Sequence, residues 1–141
     1  SIVCKLEGAE LDYAVGHALG INVELGRSSN VVPGGSIHCF LRGETKPDGW
    51  PSTPYLRGEM KRGFFGQVQI DSVRPIGFVY APSTDWAFGG QLIERERIEL
   101  SPSKDGQWFA DIGSGRFLAK GVTPLMAAMR ALVASKTDQS S

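Results

Sequence analysis

The stretch Pro82–Glu99, PSTDWAFGGQLIERERIE, constrains the chain more than any other. Small polar residues open it, and apolar positions then recur at three- and four-residue spacing, the period of a helix with one buried face. Ser83 and Thr84 suit the N-cap, because a hydroxyl accepts from the orphan N–H groups of a first turn. Asp85 falls in that turn, where its charge suits the positive end of the helix dipole. Trp86, Gly89, Gly90, Ile93 and Arg97 form the stripe, which predicts a helix over 84–97 anchored by Trp86 and Ile93. Glycine in a helix interior costs about 1 kcal/mol relative to alanine. A close approach by another backbone is the usual compensation, and the pair 89–90 predicts one. Glu94-Arg95-Glu96-Arg97 alternates in sign and reads as a solvated face. A sharper reading makes a polar site of Ser83, Asp85, Glu94 and Arg97, but no nucleophile–base pair accompanies them.

Two more helices are expected. Leu11, Ala14, Val15, Ala18 and Leu19 share a face near 8–19. Glu7, Glu10 and Asp12 load its N-terminal end with the favoured charge, and Gly20 is placed at C′. Near 123–135, Thr123 is the N-cap and Pro124 fits the first helical position, where a missing N–H costs nothing. Leu125, Ala128, Met129, Leu132 and Val133 form its apolar face. Strand-like segments fall at 21–27, 36–42, 67–73, 76–80, 98–101 and 107–112, with a turn over Asn30–Ser36 and a tight turn at Asp105-Gly106. The expectation is a single α+β domain, with about three helices on a mainly antiparallel sheet.

Glycine supplies 18 of the 141 residues, about twice the usual share of roughly 7%, so long irregular connections are expected. Gly43 to Gly66, with Pro47, Pro51 and Pro54, reads as one irregular insertion. Aromatic and basic side chains are interleaved in it, Phe64 and Phe65 among them. Trp50, Tyr55 and Arg57 are the candidates to meet a partner, since Trp, Tyr and Arg dominate interface energetics. Lys61 and Arg62 would flank them electrostatically.

Fifteen basic residues balance fifteen acidic ones, which argues against nucleic-acid binding by bulk charge. No apolar run approaches a membrane span, and the opening SIVCKLEGAELDY has no signal-type apolar core. Cys4 and Cys39 make no disulfide framework and read as reduced thiols of a cytosol. With His17 and His38 they match no metal-ligand spacing, so neither metal nor cofactor is expected. Gly113-Ser-Gly115 completes neither a dinucleotide nor a nucleophile-elbow motif.

Three stretches carry a family likeness: LEGAELDYAVGHALG (6–20), PSTDWAFGGQLIERERIEL (82–100) and GVTPLMAAMRALVASK (121–136). Together they resemble the NinX-like family of small phage and prophage proteins. Gln91 stands where a proline often follows the glycine pair in such proteins. The resemblance implies a phage or prophage accessory protein in the bacterial cytoplasm, with no assigned activity. Ser83, Thr84, Asp85, Trp86, Gly89, Gly90, Glu94, Arg97, Thr123 and Pro124 then read as motif residues committed to folding. A non-enzymatic module for a host or phage protein is the favoured function. The alternatives are a single-stranded nucleic-acid accessory protein using the Arg57–Phe65 segment and an enzyme using Asp85, Glu94 and Arg97.

Overall fold

A computed structural model describes residues 2–27, 37–43, 50, 54–66, 68–113 and 115–137. The turn expected over Asn30–Ser36 lies outside the described residues. A 3₁₀ turn (Ile2–Lys5) leads into α1 (Gly8–Ala18). Strands β1 (Val23–Arg27), β2 (Ile37–Arg42), β3 (Pro54–Arg62) and β4 (Val68–Val79) follow. Then come α2 (Trp86–Glu96), β5 (Glu99–Pro102), β6 (Trp108–Ile112), β7 (Phe117–Gly121) and α3 (Pro124–Thr137). Two antiparallel sheets result, ordered β1-β2-β4-β3 and β5-β6-β7. The α+β expectation, with three helices near the expected limits, is met.

The hub is α3. Leu125, Ala127, Ala128, Met129, Ala131, Leu132, Val133 and Ser135 are all buried, so the helix is enclosed on most of its circumference. It packs against α1, α2, β6, β7 and the 3₁₀ turn. Its start matches the sequence reading: the Met126 N–H donates to Thr123 Oγ1 at 3.1 Å, and Pro124 is the first helical residue. The end of β7 presses on this helix so closely that a Cβ at Gly121 would lie 2.6 Å from the Ala127 nitrogen.

The α2 expectation holds in extent but not in its cap or buried face. Asp85 is the N-cap, with extended backbone and a carboxylate accepting from the Ala87 N–H at 2.9 Å. Ser83 and Thr84 precede the cap. Phe88, Gly89 and Leu92 are the buried residues, while Trp86 is 56% exposed and Ile93 half-buried. Both faces have helical spacing, and they share Gly89. Packing selected the one that meets Tyr80, whose ring centroid lies 5.4 Å from that of Phe88. The close approach belongs to Gly89 alone: a Cβ there would collide with the Pro82 carbonyl oxygen and Leu125 Cδ2. At Gly90 a Cβ would meet nothing nearer than the Trp86 ring at 3.8 Å. Arg97 caps the helix end in the left-handed conformation (φ 53°).

In α1, Leu11 and Val15 are buried as expected, and Gly20 follows the helix with φ 76°. Asp12 departs from its expected role as a first-turn charge. It is buried, and its Oδ1 accepts from the Ser83 backbone N–H at 2.7 Å. Ser83 Oγ donates back to the Gly8 carbonyl at 3.3 Å. These two bonds tie α1 to the turn before α2.

The segment read as an irregular insertion is partly regular. Pro54–Arg62 within it is β3, paired with β4 from Pro54↔Phe78 to Arg62↔Val68. The prolines that suggested a loop are tolerated by position. Pro54 heads the strand, and Pro75 adjoins one of two register shifts that leave Ile76 and Asp71 as extra residues of β4. The two strands expected at 67–73 and 76–80 are therefore one. The sequence reading also missed β7, which pairs with β6 from Trp108↔Gly121 to Ile112↔Phe117.

Candidate partner-binding surface

β2 pairs with β4 only over Gly77–Val79, whereas β3 pairs with β4 over its whole length. Among the described residues, β3 and the first part of β4 thus form a two-stranded ribbon leaving the sheet. At about 3.3 Å per residue the ribbon reaches on the order of 25–30 Å.

Its tip is a tight turn. The Gly66 N–H donates to the Gly63 carbonyl at 3.0 Å, and Gly66 has φ 82°, which suits glycine. Phe64 and Phe65 occupy the two central positions and are 95% and 88% exposed. Their rings meet edge-to-face with centroids 5.2 Å apart. In the sequence both are simply two of the interleaved aromatics of this segment. The signal was G-F-F-G, because a turn bracketed by glycines lies on the surface and carries its side chains outward.

The five residues chosen from sequence separate. Trp50 is half-buried in the body. Its Nε1–H donates to the Val79 carbonyl at 3.3 Å, and its ring stacks on Tyr80 and meets Phe88 edge-on at centroid distances of 5.3 and 5.2 Å. It anchors the ribbon's root, with part of its ring covered by the body. Tyr55, Arg57, Lys61 and Arg62 lie on β3 by their backbone, but their side chains lie outside the described part of the structure.

The polar cluster weighed for the central helix does not assemble. Ser83 and Asp85 stand before α2, and Glu94 and Arg97 at its far end, a helix length of roughly 15 Å away. Glu94 and Arg97 are exposed. The nearby ion pairs instead join Glu96 to Arg95 at 3.5 Å and to Lys136 at 3.4 Å. Among the described residues, no three of His, Cys, Asp and Glu are grouped to hold a metal ion.

The family-like stretches do meet in space. A cleft of about 230 Å³ is lined by Gly8 from α1, Ser83 and Trp86 from the start of α2, and Thr123, Pro124 and Met126 from the start of α3. Asp12 lies behind it, joined through Ser83. Burial pushes the Asp12 carboxyl up to about 6, against the opposing effect of its hydrogen bonds from Ser83.

A family model described as bacteriophage P22, NinX, matches residues 2–136. The chain belongs to the NinX family. The match runs through the ribbon as well as the three motif stretches, so the ribbon of this NinX-family chain lies within the matched length. A comparison with curated proteins found no match. Among the described residues, no helix is long and apolar enough to cross a membrane.

Proposed function

We propose that this NinX-family chain is a non-enzymatic accessory module of a phage or prophage. It works in the bacterial cytoplasm and meets a host or phage protein through the tip of the β3–β4 ribbon. The observation that carries this reading is the pair Phe64 and Phe65, almost wholly exposed at the end of a projecting hairpin. Covering one phenylalanine contributes about 1.5–3 kcal/mol, so two adjacent ones are a substantial anchor for a complementary pocket. A two-stranded ribbon is marginally stable in water by itself, and a partner packed on it supplies the missing face. Arg57, Lys61 and Arg62 on the strand leading to the tip also suit single-stranded nucleic acid, which remains the second reading.

Substitution at the tip tests this more cleanly than excision of residues 46–62, which would remove β3 and bare β4. The tagged wild type and the Phe64→Ser/Phe65→Ser double variant are expressed during phage infection and purified with whatever they hold. A protein identified with the wild type and lost with the double variant supports the reading. An unchanged set of partners overturns it. Salt-sensitive binding of oligothymidylate, lost in the same variant, would favour the nucleic-acid reading.

A further inference from the structure

We infer that the cavity between the 3₁₀ turn, β7 and α3 binds a small organic anion with a compact apolar body. The cavity measures about 520 Å³, inside the range of roughly 300–1,000 Å³ usual for small-molecule sites. It is separate from the ribbon and from the motif cleft. Its walls are mostly apolar, with Val3, Leu118 and Ala134 among them, and Leu118 is 61% exposed, a large aliphatic side chain that a ligand would cover.

Its charged lining is of one sign. Lys120 and Arg130 face it, and no carboxylate is among the lining residues. Arg130 is held in place by backbone: Nε donates to the Leu6 carbonyl at 2.9 Å and Nη1 to the Lys120 carbonyl at 2.8 Å. These bonds orient the guanidinium without neutralising it, and among the described residues no carboxylate forms an ion pair with it. Lys120 pairs with Asp105 at 2.5 Å, at the exposed rim where water screens the pair. A pre-oriented, half-buried cation at the edge of an apolar cavity is matched by one anionic group on a hydrophobic body. A guanidinium suits a carboxylate in particular, through its planar fork of donors.

Cys4 provides the readout. It lines the cavity and is an exposed residue, whereas Cys39 is buried. Burial, reinforced by nearby Asp12, pushes the Cys39 thiol up to about 12 and keeps it unreactive in mildly alkaline buffer. Alkylation by iodoacetamide, an uncharged reagent, then reports on Cys4, and mass spectrometry verifies the labelled residue.

Benzoate is the probe and benzyl alcohol its uncharged counterpart. Benzoate is expected to slow Cys4 alkylation saturably, and benzyl alcohol to leave it unchanged at equal concentration. Lys120→Gln should move the half-protecting benzoate concentration up by about tenfold, because it removes a rim cation and leaves the Asp105 carboxylate unpaired beside the bound anion. Ala134→Phe should fill the cavity and abolish protection. Lys120→Gln alters one rim side chain, so it keeps the test decisive if Ala134→Phe fails to fold. An alkylation rate indifferent to benzoate overturns the inference. So does equal protection by benzyl alcohol, or equal protection of wild type and Lys120→Gln.

Discussion

The Ser83 backbone N–H donates to the Asp12 carboxylate at 2.7 Å, across 71 residues of sequence and inside the core. The bond fixes the turn that starts α2 against the middle of α1. It also places an ionisable group where ionisation is unfavourable: burial raises the Asp12 carboxyl from 3.8 to about 6. Because the folded state holds this proton more tightly than the unfolded chain, the group's contribution to stability is full below about pH 4 and lost as pH rises to about 6. A shift of this size corresponds to roughly 2–3 kcal/mol. Asp12→Asn keeps an acceptor for the Ser83 N–H and removes the charge. Urea denaturation across this window should show the variant's stability falling less steeply than the wild type's. Parallel curves would mean that Asp12 does not titrate there.

Asp12→Ala should behave differently. It leaves a buried N–H without its acceptor, at a cost of about 1–3 kcal/mol. Denaturation below the titration window isolates this loss from the charge effect. A loss within error of zero would mean that the turn finds another acceptor.

The two central glycines should separate under substitution. Gly89→Ala drives a methyl group into the Pro82 carbonyl and Leu125, and should destabilise by about 1–3 kcal/mol. Gly90→Ala has room and should stabilise by up to about 1 kcal/mol through helix propensity. Thermal melts of both decide it, and equal effects would contradict the packing at α2.

Trp86→Ala should cost under about 1 kcal/mol, because the indole is more than half exposed and surface substitutions stay near that limit. The core cost expected when Trp86 is read as the anchor belongs instead to Phe88→Ala, at about 3–5 kcal/mol. Denaturant midpoints of the two variants give the comparison, and a reversed order would restore Trp86 to the core.

Thr123→Ala removes the hydroxyl that accepts from the Met126 N–H and should cost about 1 kcal/mol. A lowered melting temperature is the expected result. An unchanged one would mean that α3 holds its first turn without this cap.

The three helices, the Thr123-Pro124 start of α3, the Gly20 ending of α1 and most strands were legible in the sequence, because caps, breakers and apolar periodicity are local properties. The buried face of α2 was not: Trp86/Ile93 and Phe88/Leu92 both have helical spacing, and Tyr80 together with the Pro82 carbonyl chose between them. Nor was the role of Asp12, whose acceptor duty depends on a turn 71 residues away. The strand at Pro54–Arg62 was hidden by proline and glycine, which are compatible with a strand only once its edge position and the irregular register of its partner are known. The aromatic pair at the ribbon tip and the mixed aromatic and basic segment behind it were visible as residues. Only the tertiary structure separated them, turning Trp50 inward onto Tyr80 and Phe88 and leaving Phe64 and Phe65 in water. Exposure is a property of what packs against a side chain, and for these residues that is set by elements distant in sequence.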